Sequence, residues 1–242
     1  MSSAPDGLAV VVGASGGIGS ALVQAMQHSG LYAQVLGLSR QSVPALDLGD
    51  ESSIAACAQH IQTLQAQAQQ AVQTLPLRCV IDATGMLHTD TIQPEKSWLQ
   101  LDAAAMAQSF AINAIGPALL MKHCLPLLAR DGRAVFATLS AKVGSIGDNR
   151  LGGWYSYRAS KAALNQLVRT AAIELRRRHP QAVCVALHPG TVATDLSAPF
   201  AKSGLDVRTP DECAQRLLAV IAGLRAEHSG GFFNHDASPL PW

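Results

Sequence analysis

The chain has 242 residues, of which 48% are hydrophobic and only 14% are charged, so it can bury a large core. Its formal net charge of +1 provides no broad basic field, which argues against nucleic acid and an anionic membrane as partners. The five cysteines are widely spaced without a CxxC pair, a usage typical of a reduced, cytoplasmic protein. No signal peptide and no apolar run of membrane-spanning length is predicted.

Short β-rich runs alternate with longer helical runs along the chain. Strands are predicted over Leu8–Ala14, Gln34–Ser39, Ala45–Leu48, Arg78–Ala83, Arg133–Ser140, Ala182–Leu187 and Gly231–Asn234. Helices are predicted over Gly17–Ser29, Glu51–Leu75, Ala103–Leu128, Tyr157–Arg178 and Pro210–Ala226. This alternation predicts an α/β fold, a Rossmann-type doubly wound parallel sheet of about seven strands flanked by helices. No linker is evident, so residues 1–242 are expected to form a single domain.

Three glycines, Gly13, Gly17 and Gly19, stand where the first strand turns into the first helix, in VVGASGGIGSALV. Glycines at such a turn let the backbone approach a pyrophosphate, while the helix N-terminus supplies N–H groups and a positive dipole. A turn without a ligand needs the same residues, but the position directly after the first strand favours a nucleotide site. We therefore predict a cofactor loop that also includes Ser15 and Ile18.

The end of the second strand indicates which dinucleotide binds. An acidic residue at this place holds the ribose 2′-hydroxyl of NAD(H), whereas an arginine accommodates the 2′-phosphate of NADP(H). The sequence LGLSR places Arg40 there and no carboxylate, so NADP(H) is preferred and NAD(H) is the alternative. The other interpretation of Arg40 is an ordinary charged residue on the solvated surface. In the following ALDL, Asp47 either meets the adenine edge beside Leu48 or caps the next helix.

The stretch WYSYRASKAAL contains two tyrosines, of which one has a lysine four residues further on. Residues i and i+4 share one face of a helix, so Tyr157 and Lys161 can act on a common ligand. Tyr155 has Ala159 at the corresponding position. The spacing therefore selects Tyr157 as the acid–base residue.

Several motifs in order give the chain a resemblance to the short-chain dehydrogenase/reductase family, in its C-factor and sniffer-like carbonyl reductase branch. They are the G-x-x-x-G-x-G loop, FAINAIGPALL with Asn113, ATLSAKVGS with Ser140, YRASK with Tyr157 and Lys161, HPGTVATDL and the tail GGFFNHDASPLPW. The resemblance covers nearly the whole chain. It implies NAD(P) as the cofactor and a homodimer or homotetramer.

The resemblance also implies roles for individual residues. It assigns Lys161 to the nicotinamide ribose as well as to Tyr157, and Asn113 to a water-mediated proton relay. It also counts Asn113 and Tyr157 among the cofactor contacts. The remaining cofactor contacts that it assigns are Ala83, Thr84, Gly85, Pro189, Gly190, Val192 and Thr194. A tyrosine has an ordinary pKa of about 10, and we expect the Lys161 ammonium and the oxidised nicotinamide to lower the pKa of Tyr157.

Two positions depart from the family pattern. Aligned without a gap, the family's SSxxG places Ser140 on its first serine and Ala141 on the second, which is usually the catalytic one. Three interpretations are open for the serine that polarises the substrate carbonyl. Either a bulge brings Ser140 to the substrate, or another hydroxyl such as Ser145 serves, or the polarisation is weakened. We predict Ser140 as the catalytic serine. The family's NNAG is replaced by a sequence that begins with Asp82, which cannot donate as an amide does.

The sequence thus predicts an enzyme that reduces a small ketone or aldehyde to an alcohol with NADPH, using Tyr157 as the proton donor. A second hypothesis is an NAD(P)-binding regulatory or signalling protein with incidental catalysis. Residues 196–209 are expected to form a mobile substrate lid. The histidines lack the spacing of metal ligands, so no metal site is predicted.

Overall fold

A parallel sheet of six strands forms the centre of the computed structural model, which describes residues 6–200 and 206–242. Its strands are β1 (Leu8–Val12), β2 (Gln34–Leu38), β3 (Leu77–Asp82), β4 (Ala134–Leu139), β5 (Ala182–His188) and β8 (Phe232–Asn234). Their order across the sheet is β2-β1-β3-β4-β5-β8. Two short strands, β6 (Thr191–Val192) and β7 (Val207–Arg208), pair with each other outside this sheet.

Helices cover both faces of the sheet. They are α1 (Gly17–Ser29), α2 (Glu51–Gln70), α3 (Ala103–Phe110), α4 (Gly116–Cys124), α5 (Tyr155–Arg178) and α6 (Pro210–Gly223). Helices α1 and α6 bury one face of the sheet, whereas α2, α4 and α5 bury the other. All five residues of β1 are fully buried, as expected for a strand covered on both sides. The predicted doubly wound fold is therefore confirmed.

One predicted strand is wrong. Residues Ala45–Leu48 alternate between exposed and buried side chains as an edge strand does, but their backbone makes no ladder with β2. The N–H of Leu46 bonds to the carbonyl of Ser39, and the N–H of Asp47 bonds to the Ser53 hydroxyl. These local bonds fold the segment into a loop, so β2 is the edge of the sheet.

The predicted helix over Ala103–Leu128 is two helices joined by a π-helical turn at Ala111–Ile115. By length and composition, Ala103–Leu127 is apolar enough to cross a membrane. In the structure its buried residues, among them Asn113, Leu120 and Cys124, face the sheet and helix α5. The buried side of the run therefore packs into the core of this fold.

Candidate active site

A cavity of about 410 Å³ opens at the carboxyl ends of β1, β2 and β3. This is the point where the strand order reverses, and open parallel sheets bind nucleotides there. Eight of the predicted cofactor residues line it: Gly13, Ser15, Arg40, Asp47, Leu48, Ala83, Thr84 and Gly85. Sequence reasoning missed Met86, Thr89, Gln108 and Ile112, which also line the cavity. The last two are four residues apart and therefore share one helical face.

The glycine loop beside this cavity has the shape that a diphosphate needs. Gly13 has φ +82°, a conformation that favours glycine, and a Cβ on Gly19 would collide with the Gly13 carbonyl oxygen. Gly16 is the N-cap of α1 and brings no side chain to cap it, so Gly17, Ile18 and Gly19 form a first turn open to an anion. These residues fit the diphosphate of a dinucleotide cofactor.

The residues predicted to select the dinucleotide lie at the outer end of the cavity. Arg40 is solvent-exposed directly after β2 and can reach a group bound over the cavity. Asp47 does not cap α2, because Asp50 does so by accepting the N–H of Ser52 at 2.9 Å. The carboxylate of Asp47 instead accepts the N–H of Gly49 at 2.8 Å and remains exposed at the cavity rim.

The Asp82 carboxylate, which departs from the family pattern, is buried and fully bonded. One oxygen accepts the N–H and the hydroxyl of Thr84 at 3.1 and 2.6 Å, and the other accepts the Thr138 hydroxyl at 2.7 Å. Asp82 therefore fixes the turn that carries Ala83, Thr84 and Gly85 and ties it to β4. The carboxylate is thus satisfied by hydroxyl and N–H donors from Thr84 and Thr138.

Asn113 joins three segments of the site from its place in the π-helical turn. Its amide oxygen accepts the N–H of Met86 at 2.8 Å, and its amide nitrogen donates to the Met86 carbonyl at 2.7 Å. The same nitrogen lies 3.2 Å from the Ser160 hydroxyl on α5. The loop after β3 is thereby held against the helix that carries Tyr157. π-Helical turns occur frequently at functional sites.

Lys161 and Tyr157 are brought together as their spacing predicts. The Lys161 ammonium is buried, donates to the Leu139 carbonyl at 2.8 Å, and lies 6.0 Å from the centre of the Tyr157 ring. A Cβ on Gly85 would be 3.6 Å from the Lys161 Nζ and 3.7 Å from the Asn113 Oδ1. Gly85, which lines the nucleotide cavity, therefore lies beside the Lys161 ammonium and the Asn113 side chain.

Burial dominates the acid–base behaviour of the pair. It lowers the pKa of Lys161 to about 8, against the opposing effect of the Asp82 carboxylate, and it raises the pKa of Tyr157 to about 12. Burial is the cause that shifts the pKa of Tyr157 in the chain by itself. The lowering of this pKa by Lys161 together with the oxidised nicotinamide concerns the complex with cofactor and stays a prediction.

Ser140 does not reach Tyr157 through any described hydrogen bond. Its hydroxyl is buried and donates to the Asn165 side chain at 2.7 Å, on the same face of α5 as Lys161. The pairing of β4 with β5 continues without a bulge up to the bond from the Ser140 N–H to the Leu187 carbonyl. The bulge considered for Ser140 is therefore absent, and the bond to Asn165 makes Ser140 a clamp between β4 and α5.

Ser145 is the next hydroxyl along the chain and lies in the turn that packs against Lys161. A Cβ on the preceding Gly144 would be 2.8 Å from the Lys161 Cβ. The Ser145 hydroxyl is buried and accepts the N–H of Asp148 at 3.1 Å, and its proton has no acceptor among the described hydrogen bonds. It is thus free to donate to a ligand.

The segment that follows β5 lies across the N-terminus of α1. A Cβ on Gly17 would be 3.0 Å from the Thr194 Cγ2, and Gly190 has φ +81°. Val192 is buried in β6 next to Pro189 and Gly190 of the same segment. Thr194 therefore lies next to the glycine loop, and the other three predicted contacts belong to the same segment.

An aromatic wall, formed by Trp154, Phe200 and His88, stands beside Tyr157. The Trp154 ring lies edge to face with Tyr157 at 6.2 Å and with Phe200 at 5.3 Å between centroids. His88 packs against Phe200 at 5.5 Å. Part of the predicted lid, residues 201–205, lies outside the described residues. Among the described residues, no group of three histidine, cysteine, aspartate or glutamate side chains is arranged for a metal.

Comparison with known proteins gives similarity at three levels. Residues 7–204 match the short chain dehydrogenase family. The C-signal protein of Myxococcus xanthus is 41% identical over 143 residues, which span 59% of this chain and 81% of that protein. The NADPH-bound carbonyl reductase from chicken fatty liver has a TM-score of 0.83 and 25% identity, covering 100% of this chain and 96% of that one. The carbonyl reductase Sniffer of D. melanogaster shares the fold, with a TM-score of 0.82, 23% identity and coverages of 98% and 100%.

Proposed function

The chain belongs to the short-chain dehydrogenase family, in its C-factor and sniffer-like branch, and is an NAD(P)-dependent oxidoreductase; we propose that it reduces a small ketone or aldehyde with NADPH. The observation that carries this proposal is the pairing of the half-buried Tyr157 with the buried Lys161, whose ammonium lies beside Gly85 of the nucleotide cavity. NADPH oxidation with a panel of aldehydes and ketones tests it. A panel without turnover, at cofactor saturation, contradicts it.

In this reaction the Tyr157 hydroxyl transfers its proton to the carbonyl oxygen of the substrate. An NADPH held by the glycine loop and the nucleotide cavity would supply the hydride for the carbonyl carbon. With a pKa raised to about 12, Tyr157 stays protonated at neutral pH and is ready to donate. The Lys161 ammonium, held by the Leu139 carbonyl, stabilises the tyrosinate that the transfer leaves behind.

NADPH is preferred over NADH in this proposal because Arg40, after the end of β2, can contact the 2′-phosphate of NADPH and no carboxylate stands there to bind the ribose 2′-hydroxyl of NADH. The Arg40→Ala variant should weaken NADPH binding by roughly 10-fold, the loss of one charge-assisted contact to a phosphate. NADH binding should stay unchanged. Titration of both dinucleotides against wild type and variant measures the ratio. An unchanged ratio contradicts the assignment of the 2′-phosphate to Arg40.

Ser145 takes the carbonyl-polarising role in this proposal, because Ala141 occupies the usual position and Ser140 is bonded to Asn165. We expect Ser145→Ala to lower kcat by roughly 10²-fold, the effect of removing one donor to a developing oxyanion. Adding Ala141→Ser to Ser145→Ala should restore part of the rate. Steady-state kinetics decides, and wild-type kcat in Ser145→Ala contradicts the role.

The substrate itself is expected to carry an apolar or aromatic group next to its carbonyl. The aromatic wall beside Tyr157 supports this, since Trp154 and Phe200 offer ring edges and faces to a flat ligand. Phe200 lies in the predicted lid, so its contact with Trp154 is the point where the lid meets the site. Among the compounds of the panel, the aryl aldehydes and aryl ketones should therefore react best.

A second candidate is a signalling protein in which catalysis is incidental. The 41% identity to C-signal favours it, as does Ala141 in place of the usual serine. The pairing of Tyr157 with the buried Lys161 favours the enzyme, because a binding protein has no need of an acid–base pair beside the nucleotide cavity. Tight NADPH binding together with an unreactive carbonyl panel distinguishes the signalling protein from the enzyme.

The expected homodimer or homotetramer and the cytoplasmic setting belong to the same proposal. A groove of about 520 Å³ between α4 and α5, with Met121, Leu125, Leu167 and Ala171 in its wall, supports an interface on these helices. Ile173 on α5 is 49% exposed and adds apolar surface to the same helix. The mass in solution decides between a dimer and a tetramer.

A further inference from the structure

The start of helix α5, two residues before Tyr157, lacks the features that normally begin a helix. Its N-cap is Trp154, which has φ +54° and makes no side-chain cap, and its first turn contains no acidic residue. The first N–H groups of a helix need acceptors from elsewhere. A left-handed conformation is also unfavourable for a bulky residue unless its surroundings hold it. Something outside the helix must therefore fix this end.

The side chain of Glu95, from the loop after β3, supplies what is missing. Its carboxylate accepts the N–H of Ser156 at 3.2 Å and also accepts the Ser156 hydroxyl. The backbone carbonyl of Glu95 accepts the N–H of Trp154. Glu95 is only 6% exposed, so these bonds form away from water, where each is worth most.

The charge of Glu95 matches the end of the helix that it contacts. Within residues 6–200 and 206–242, no lysine, arginine or histidine forms an ion pair with this carboxylate. A buried carboxylate needs compensation, and the N-terminus of a helix of 24 residues supplies partial positive charge. The start of α5 thus explains the burial of Glu95.

We propose that Glu95 is a positioning residue for Tyr157, an inference that rests on the proposed carbonyl reduction. The Glu95 carboxylate holds Ser156, which directly precedes Tyr157, and the Glu95 backbone carbonyl holds Trp154, whose ring packs edge to face against the tyrosine. Releasing Glu95 lets the first turn of α5 unwind and moves the phenol away from the carbonyl oxygen. Displacements of about 1 Å can reduce a reaction rate by about 10²-fold.

A helix cap that only stabilises the fold has a counterpart in this chain. Asp50 accepts the N–H and the hydroxyl of Ser52 at the start of α2, the same pair of bonds that Glu95 accepts from Ser156. Helix α2 carries none of the acid–base residues. Asp50→Ala is therefore the matched control for Glu95→Ala, because both remove a carboxylate that caps a helix through a serine.

The test compares Glu95→Ala, Glu95→Gln, Ser156→Ala and Asp50→Ala at a temperature well below the lowest Tm. We expect kcat to fall by about 10- to 100-fold in Glu95→Ala. The loss of kcat should be smaller in Glu95→Gln, because glutamine keeps an acceptor for the Ser156 N–H, and it should also be smaller in Ser156→Ala. The KM for NADPH should not change. Asp50→Ala should lower Tm and keep kcat. Wild-type kcat in Glu95→Ala, or an equal loss of kcat in Asp50→Ala, overturns the proposal.

A second measurement does not depend on turnover and keeps the two proposals separable. The difference between the near-UV circular dichroism of the wild type and of Trp154→Phe isolates the contribution of Trp154 beside Tyr157. That contribution should be lost in Glu95→Ala, or in Glu95→Gln if the alanine variant does not fold. If the wild type reduces no carbonyl, the proposed function fails, while retention of this signal in the Glu95 variant refutes the positioning role.

Discussion

Replacement of Tyr157 by Phe should nearly abolish carbonyl reduction, with a loss of roughly 10²- to 10⁴-fold in kcat, the usual contribution of a general acid. The variant keeps the aromatic ring that packs edge to face against Trp154, so the fold and the aromatic wall remain. No described hydrogen bond of the chain involves the Tyr157 hydroxyl, and its removal therefore leaves no partner unsatisfied. The affinity for NADPH should stay close to that of the wild type.

The adjacent Tyr155 provides the control for this measurement. Tyr155→Phe removes the same hydroxyl from the same first turn of α5, but four residues further on stands Ala159 in place of a lysine. Its kcat should equal that of the wild type. Single-turnover rates at saturating NADPH separate the chemical step from product release. If Tyr157→Phe keeps more than a tenth of the wild-type kcat, Tyr157 is not the proton donor.

The features that were predictable from sequence are those that depend on local spacing. The first strand is apolar at every position because both of its faces are buried, and Tyr157 and Lys161 meet because four residues make about one helical turn. The glycines were predictable for a related reason. A backbone with φ > 0, or one that passes within contact distance of another backbone, excludes most side chains, as at Gly13 and Gly19.

The features that were not predictable depend on contacts between distant segments. Glu95 caps α5 from a position 61 residues before Ser156, and no local pattern in the sequence predicts that pairing. Ser140 was chosen as the catalytic serine because it aligns with the first serine of the family's SSxxG, whereas its hydroxyl is engaged by Asn165 on another element. The segment at Asp47 alternates like a strand, yet the Ser53 hydroxyl takes its N–H and prevents a ladder.

The second large effect concerns Lys161, whose buried ammonium has a pKa lowered to about 8. Below that pH the lysine is charged and stabilises the tyrosinate formed when Tyr157 gives up its proton. Above it the lysine is neutral, and this stabilisation disappears while Tyr157, with a pKa raised to about 12, still holds its proton. The rate of reduction should therefore be level up to about pH 8 and fall at higher pH.

Two variants isolate the lysine as the cause of that fall. Lys161→Met removes the charge at every pH and should lower kcat by roughly 10²-fold or more, since one neighbouring charge can shift a pKa by 1–3 units. Lys161→Arg keeps a cation that remains charged throughout the accessible pH range. Whatever its absolute rate, the ratio of its kcat at pH 9 to that at pH 7 should exceed the wild-type ratio. An identical decline in Lys161→Arg assigns the pH dependence to a different group and removes Lys161 from the proton-transfer step.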